Sequence, residues 1–299
     1  INNINNTIKM YTFDITQKKK QIKQKTYELK NGISVIIPLY NNQNYIEQTV
    51  LSVINQTYKH FEIIIVDDCS TDNSYNKAQE LQKKFPNLIK LYKNDKNIGV
   101  YKTLNNGLNY CTGYAVTVLG SDDKLMPTRL YEDNLHLQSH DFVISKYVRT
   151  DENSGKTLQK SCFGESMITF NKRVIPKLGN WLNCRFGGDT EFLERIKMIY
   201  GKNKIYYNNK NLYESIIKKN KKNLTILYAS DKRRKFVEYY KLLHSNYNKE
   251  ISKENIKKLE ALRKQIDILE EDNYKNCDQI LKNNWYNIEN DNINTYIFD

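Results

Sequence analysis

Five carboxylates stand where this sequence could do chemistry: Asp67-Asp68, Asp122-Asp123 and Asp189. The first pair directly follows the apolar run Phe61–Val66, and the second follows Tyr114–Leu119 across Gly120-Ser121. A carboxylate so placed can accept hydrogen bonds from a base N–H or a ribose hydroxyl, and Tyr40, in Pro38-Leu39-Tyr40-Asn41, can cover a ring. Adjacent aspartates repel each other, and a bound cation relieves that repulsion. Mg2+ or Mn2+, bridging to a diphosphate, prefers such hard oxygen donors. Asn97-Ile98-Gly99 offers close backbone approach and helix-start N–H groups to phosphate. Gly187-Gly188 frees the backbone to aim Asp189 as a general base, with Glu191 to assist or to cap the helix. Each feature also has a plain structural use. Asp-Asp-x-Ser makes a turn or helix cap, Asn97–Gly99 a strand-to-helix loop, Asp122-Asp123 a structural pair, and Asp189 a cap.

The elements that would carry these residues follow from apolar periodicity. Ile33–Pro38, Phe61–Val66, Leu88–Tyr92 and Tyr114–Leu119 read as short buried strands. Between them Tyr45–Gln56, with Ile46, Val50, Val53 and Ile54 at helical spacing, Ser74–Lys84 and Tyr101–Asn109 read as helices. Alternating strands and helices on short links predict an α/β fold, a mainly parallel sheet covered on both faces. Ligands bind outside the carboxyl ends of such strands, where both aspartate pairs lie. Beyond Leu125 the pattern predicts a strand near Phe142–Val148, a loop near Asp151–Gly155 and a helix over Thr190–Tyr200. From Asp231 helices follow, with one stripe of Phe236, Val237, Tyr240 and Leu243 and another of Ile256, Leu259, Leu262, Ile266 and Leu269. The second has heptad-like spacing, to pack on the first domain or to pair two copies as a homodimer.

Composition narrows the class. Of 299 residues, 47 are Lys or Arg and 34 Asp or Glu, a net charge of +13. The excess is uneven: residues 1–32 carry +5, 33–201 only +2, 202–264 +12 and 265–299 −6. Lys18–Lys20, Lys218–Lys222 and Lys232–Lys235 therefore read as solvated faces and loops. The +12 segment is expected to be helical and not a sequence-specific reader of nucleic acid, since no such motif occurs. Five cysteines without CxxC spacing exclude a disulfide scaffold or zinc ribbon and fit a reducing compartment. The longest apolar runs are about six residues, against ~20 for a membrane span, and no signal-peptide pattern opens the chain. Starting at Ile1, the sequence reads as a processed product or a piece of a longer protein, cytoplasmic and soluble or peripheral to a membrane.

Taken in order, these residues resemble the inverting family 2 glycosyltransferases of the GT-A fold, over roughly residues 32–200. The likeness rests on Ile33–Asn41, Gln56-Thr57, Phe61–Ile63 running into Val66–Asp72, Asn97–Gly99 with Asn105 and Gly107, Gly113, Ser121–Asp123 with Met126-Pro127, and Asp189. The resemblance implies a GT-A (Rossmann-like) domain over 32–205, after an extension at 1–31 and before a mainly helical C-terminal region at 206–299. It implies a nucleotide-sugar donor, a UDP-sugar by expectation, whose base and ribose meet Pro38, Tyr40, Asp67 and Asp68. Asn97, Gly99 and Asp122 would complete the donor site, and Asp122 and Asp123 would hold Mn2+ or Mg2+. Asp189 would take the proton of an acceptor hydroxyl on a glycan, protein or lipid-linked molecule. Two positions depart from the family pattern. Gly120 replaces the first Asp of the usual Asp-x-Asp-Asp, and Leu104 replaces an Arg, which moves the expected phosphate contact to Lys102. A nucleotidyltransferase is disfavoured, because no Gly-rich phosphate loop follows the first strand. A non-catalytic GT-A module binding sugar or nucleic acid remains the rival of another class.

Overall fold

The computed structural model describes residues 32–184, 187–218, 231–246 and 252–263. Its centre is an eight-stranded sheet of order β3-β2-β1-β4-β7-β6-β8-β5. The strands are β1 (Ile33–Leu39), β2 (Phe61–Asp67), β3 (Ile89–Lys93), β4 (Ala115–Val118), β5 (Lys124–Leu125), β6 (Phe142–Asp151), β7 (Thr157–Asn171) and β8 (Ile205–Ile217). Helices α1 (Ile46–Ile54), α2 (Ser74–Lys84) and α3 (Val100–Asn109) link the first four strands. After them come α4 (Arg129–His136), the single turn α5 (Ile175–Leu178), α6 (Gly188–Tyr200), α7 (Asp231–Ser245) and α8 (Lys253–Arg263).

The expected α/β sheet is present and it is mixed. β1 pairs in parallel with both β2 and β4, and β2 with β3. β7 then runs antiparallel to β4 and β6, β8 runs parallel to β6, and β5 runs antiparallel to β8. The chain order reverses at β1, so a crevice opens at its carboxyl end between β2 and β4.

Alternation along β1 and β2 builds two cores. Ile33, Val35, Ile37 and Leu39, with Ile63 and Ile65, face α1 and α2 through Ile46, Val50, Val53 and Ala78. Ile36, Ile64 and Val66 face the other way, toward Leu104 and Leu108 of α3 and Phe192 and Ile196 of α6. Phe236, Tyr240 and Leu243 of α7 join that second core, as does Leu262 of α8. The first C-terminal stripe is therefore core packing, the commoner use of such a face. Each fully buried aromatic of this kind contributes about 1.5–3 kcal/mol. Of the second stripe, Ile266 and Leu269 lie outside the described residues, as do residues 1–31 and Lys219–Lys222.

One expectation fails. Residues 206–217, placed in a helical region, form β8, so the sheet runs past the boundary at 205. Ile205-Tyr206-Tyr207 and Leu212-Tyr213 supply β-branched and aromatic residues suited to a strand. The polar Asn208–Asn211 between them coincides with register shifts against Ser145 and Lys146, which break the period-2 pattern a strand is recognised by. β7 was likewise absent from the expected elements.

The family glycines have steric causes. A Cβ on Gly107 in α3 would sit 2.6 Å from Ile36 Cγ2 on β1, and one on Gly113 2.6 Å from the Gly32 carbonyl oxygen. Gly107→Val should therefore overpack the helix–sheet contact and cost about 1–3 kcal/mol, more than its gain in helix propensity of a few tenths. Chemical denaturation of the variant checks this; parent-like stability would show that α3 can withdraw from β1.

Candidate nucleotide site

The crevice at the end of β1 holds a cleft of about 340 Å³. Pro38, Leu39, Tyr40 and Asn42 form one wall, Asp68, Asn97, Gly99, Val100 and Thr103 a second, and Gly120, Ser121 and Asp122 a third. Six of the eight residues expected to meet the nucleotide thus come together: Pro38, Tyr40, Asp68, Asn97, Gly99 and Asp122. Tyr40 is 45% exposed, an unusual state for a ring at the end of a buried strand, and leaves its face free for an aromatic ligand.

Asp68 is the organiser of this cleft. Its Oδ1 accepts from the Asn94 amide and the Ile98 N–H, and its Oδ2 from the Gly99 N–H, each at 2.9 Å. These bonds tie the 94–99 loop to the end of β2. They hold Gly99 at φ 86° and ψ 156°, a conformation only glycine adopts without strain. Asp67 does not reach the cleft. It is fully buried, its Oδ2 accepts from the Ser70 N–H at 3.0 Å, and its Oδ1 has no hydrogen-bond partner among the described residues. Lys102 also lies outside the lining, and Thr103 takes the place expected for it on α3.

The third wall departs furthest from expectation. Asp122 lines the cleft, and its Oδ2 lies 2.5 Å from the Lys218 ammonium. Asp123 points into the sheet instead. Its Oδ2 accepts from the Tyr213 hydroxyl at 2.8 Å and its Oδ1 from the Ile216 N–H at 3.1 Å. Burial, then the neighbouring Asp122 charge, raises the Asp123 carboxyl above its ordinary range against these hydrogen bonds. Gly120 makes room for this packing: a Cβ there would meet Asp123 Oδ2 at 2.7 Å. The Gly120 N–H donates to the Tyr213 oxygen at 3.1 Å, closing the contact with β8.

A divalent cation at a nucleotide is usually held by one or two carboxylates together with the substrate's phosphates. Here Asp122 is the one carboxylate of its pair turned to the cleft, and its charge is already matched by Lys218. Among the described residues no group of three or more His, Cys, Asp or Glu side chains is placed to hold a metal ion. A cation at Asp122 would have to displace the Lys218 ammonium, and on that ground the donor set as it stands does not fit the Mn2+ or Mg2+ that the resemblance implies.

Asp189 stands in the first turn of α6, beyond the cleft lining. Its Oδ1 accepts from the Tyr101 hydroxyl at 3.0 Å, and Tyr101 lies between the cleft residue Val100 and Lys102 on α3. Burial, then the Asp189 charge, pushes the Tyr101 hydroxyl well above its usual range, so it stays a donor. The cap of α6 is Gly187 at φ 73°, with no side-chain capping bond, so Asp189 is not the cap. Asn105 fixes the approach to α6. Its amide donates to the Trp181 carbonyl at 2.8 Å, and its own oxygen accepts from the Trp181 N–H at 3.1 Å. Glu191, the second carboxylate weighed for chemistry, is fully buried and bonded by Arg195 and His244. It is a structural residue.

Reasoning from sequence missed Asn42 and Lys218. Asn42 adjoins the Pro38–Asn41 segment and was within reach of that argument. Lys218 bonds Asn42 from 176 residues away, inside a lysine run that read as solvent-facing, and no local signal marks it.

A mixed sheet with a crevice at its strand-order reversal and helices on both faces is the GT-A class of α/β fold. Residues 34–204 match the model for glycosyl transferase family 2, more than half of the chain, and the chain belongs to that family. Glycosyltransferase GlyG of Streptococcus pneumoniae is 28% identical over 187 residues, 59% of this chain and 60% of that protein. Glycosyltransferase GlyA of the same organism is 35% identical over 126 residues, covering 41% of this chain and 18% of GlyA. The chain thus spans less than two thirds of these relatives. Among solved structures, Staphylococcus aureus TarS 1–349 in complex with UDP-GlcNAc shares the fold with a TM-score of 0.60 at 19% identity, over 78% of this chain and 72% of that one. The mannosyltransferase PcManGT of Pyrobaculum calidifontis, in complex with GDP-Man and Mn2+, follows at 0.52 and 15% identity, over 77% and 68%.

Proposed function

We propose that this protein is an inverting glycosyltransferase of the hexosyl-transferring kind. It takes a nucleotide-sugar, with UDP-sugar the donor we favour, to an acceptor hydroxyl in glycan biosynthesis. The acceptor is a glycan, protein or lipid-linked molecule, and the reaction takes place in the cytoplasm. The observation that carries the reading is the cleft itself: the open Tyr40 ring faces a loop whose Gly99 is pinned by Asp68. Tyr40 covers the base, Pro38 and Asn97 flank it, and the Gly99 turn lets the backbone approach the ribose and diphosphate.

Asp189 is the base in this reading. The acceptor oxygen gives its proton to Asp189 and bonds to the anomeric carbon, while the bond from that carbon to the diphosphate oxygen breaks with its electron pair. One displacement inverts the centre, and no covalent nucleophile is needed. Tyr101 holds one carboxylate oxygen of Asp189 and so aims the other. The donor set does not fit a divalent cation, so no step runs through one.

The test is binding of UDP, with GDP alongside, by titration calorimetry. The parent should bind one of the two, and Tyr40→Ala should weaken that binding by about 1–3 kcal/mol, the usual worth of base–aromatic stacking. Equal binding by parent and variant would remove Tyr40 from the base site. Binding of neither nucleotide would favour the non-catalytic module.

A further inference from the structure

The third wall of the cleft contains a built site for positive charge. Lys218 follows β8, and its side chain is 5% exposed. Its ammonium meets the Asp122 carboxylate at 2.5 Å, donates to the Asn42 side-chain oxygen at 2.9 Å, and lies 3.9 Å from the centroid of the Tyr45 ring. A carboxylate, an amide oxygen and a π-face each favour a cation. Asn42 is itself held, its amide donating to the Ser121 hydroxyl at 2.7 Å. Asn42, Ser121 and Asp122 line the cleft, and the Lys218 ammonium stands directly behind them, held in place before any ligand arrives. An ammonium has three N–H donors. Among the described residues Asp122 and Asn42 engage two by hydrogen bonding, which leaves one for a ligand oxygen.

We infer that Lys218 is the resident cation of this site: its ammonium meets the diphosphate of the donor and takes up the charge of the leaving nucleotide, so that donor binding needs no divalent metal. This rests on the nucleotide reading above. The physics is preorganisation: a charge already oriented in a partly water-excluded site needs no rearrangement as the bond to the anomeric carbon breaks. The bond electrons go to the diphosphate oxygen, the acceptor proton goes to Asp189, and Lys218 keeps its proton throughout. The same arrangement accounts for the turned carboxylate of Asp123. With Lys218 on Asp122, a second ionised group in the cleft has no cation left to balance it, and β8 takes it into the sheet.

The experiment is titration calorimetry of UDP and of GDP into the parent, Lys218→Gln and Lys218→Arg, in EDTA and in Mn2+, with uridine binding followed by ligand-observed NMR. The parent should bind the preferred nucleotide equally well in EDTA and in Mn2+. Lys218→Gln should lose about 10- to 100-fold in affinity for it in EDTA, the worth of a hydrogen bond to a charged group, while uridine binds as before. Lys218→Arg, which keeps the charge, should retain most of the affinity. A merely structural lysine would weaken uridine and UDP together, and that result overturns the assignment. Parent binding that appears only with Mn2+ also overturns it and leaves the nucleotide site standing. Binding of neither nucleotide in either buffer brings down both. Should Lys218→Gln fail to fold, the parent's comparison in EDTA and Mn2+ and the arginine variant still decide.

Discussion

Asp189→Asn should fold as the parent does, bind the nucleotide with unchanged affinity, and transfer sugar at least about a hundredfold more slowly, within the 10²–10⁴ range of a lost general base. The structure gives reasons for each part. Folding is spared because the cap of α6 is Gly187 and the bonds that seat the helix belong to Arg195, which reaches the Leu178 carbonyl at 2.7 Å and the Asn180 carbonyl at 2.9 Å. Nucleotide binding is spared because Asp189 lies outside the cleft lining. The Tyr101 hydroxyl can still donate to the amide oxygen, so the side chain keeps its aim. An amide cannot take a proton from a hydroxyl, and the loss falls on the rate alone. A companion substitution, Tyr101→Phe, separates aim from chemistry: it should lower kcat less and leave nucleotide affinity intact. Near-parent transfer by Asp189→Asn would place the base elsewhere, and Glu191, engaged by Arg195 and His244, is not open to succeed it.

The parallel half of the fold was legible because β1, β2 and β4 are buried almost throughout and rich in β-branched residues. Their carboxyl ends carry Asp68 and Asp122, so the principal cleft carboxylates could be found by position. The antiparallel half was not. β7 and β8 are long and partly exposed, they slip in register against β6, and their polar residues imitate a loop or a charged helix. What the sequence could not reveal of the site comes from that half. Tyr213 and Ile216 draw Asp123 into the sheet, and Lys218 brings its ammonium to Asp122. Adjacent aspartates look equivalent in a sequence, and a strand remote in the chain assigns them opposite roles here.

Glu191→Ala should be the most destabilising of these substitutions, costing about 3–5 kcal/mol, a shift in melting temperature of roughly 10 °C for a domain of this size. Glu191 is wholly buried, and both its oxygens bond Arg195 at 2.8 Å, while His244 of α7 meets Oε1 at 2.9 Å. Removal of the carboxylate strands the Arg195 guanidinium, itself fully buried, and cuts the tie between α6 and α7. Glu191→Gln keeps the shape and loses the charge, and should fall between parent and alanine. The pH dependence follows from the Glu191 carboxyl. Burial acts to raise it, and the Arg195 charge with the His244 contact outweighs burial and holds it below its usual value. A depressed pKa in the folded state stabilises fully above the unfolded value, about 4.3 for Glu, and that stabilisation is lost as pH falls through the lower folded value. The gap in unfolding free energy between parent and Glu191→Gln should accordingly be full at neutral pH and narrow on acidification below about pH 4. Denaturant titrations across that range measure it, and a gap that widens in acid would show that Glu191 enters the fold uncharged.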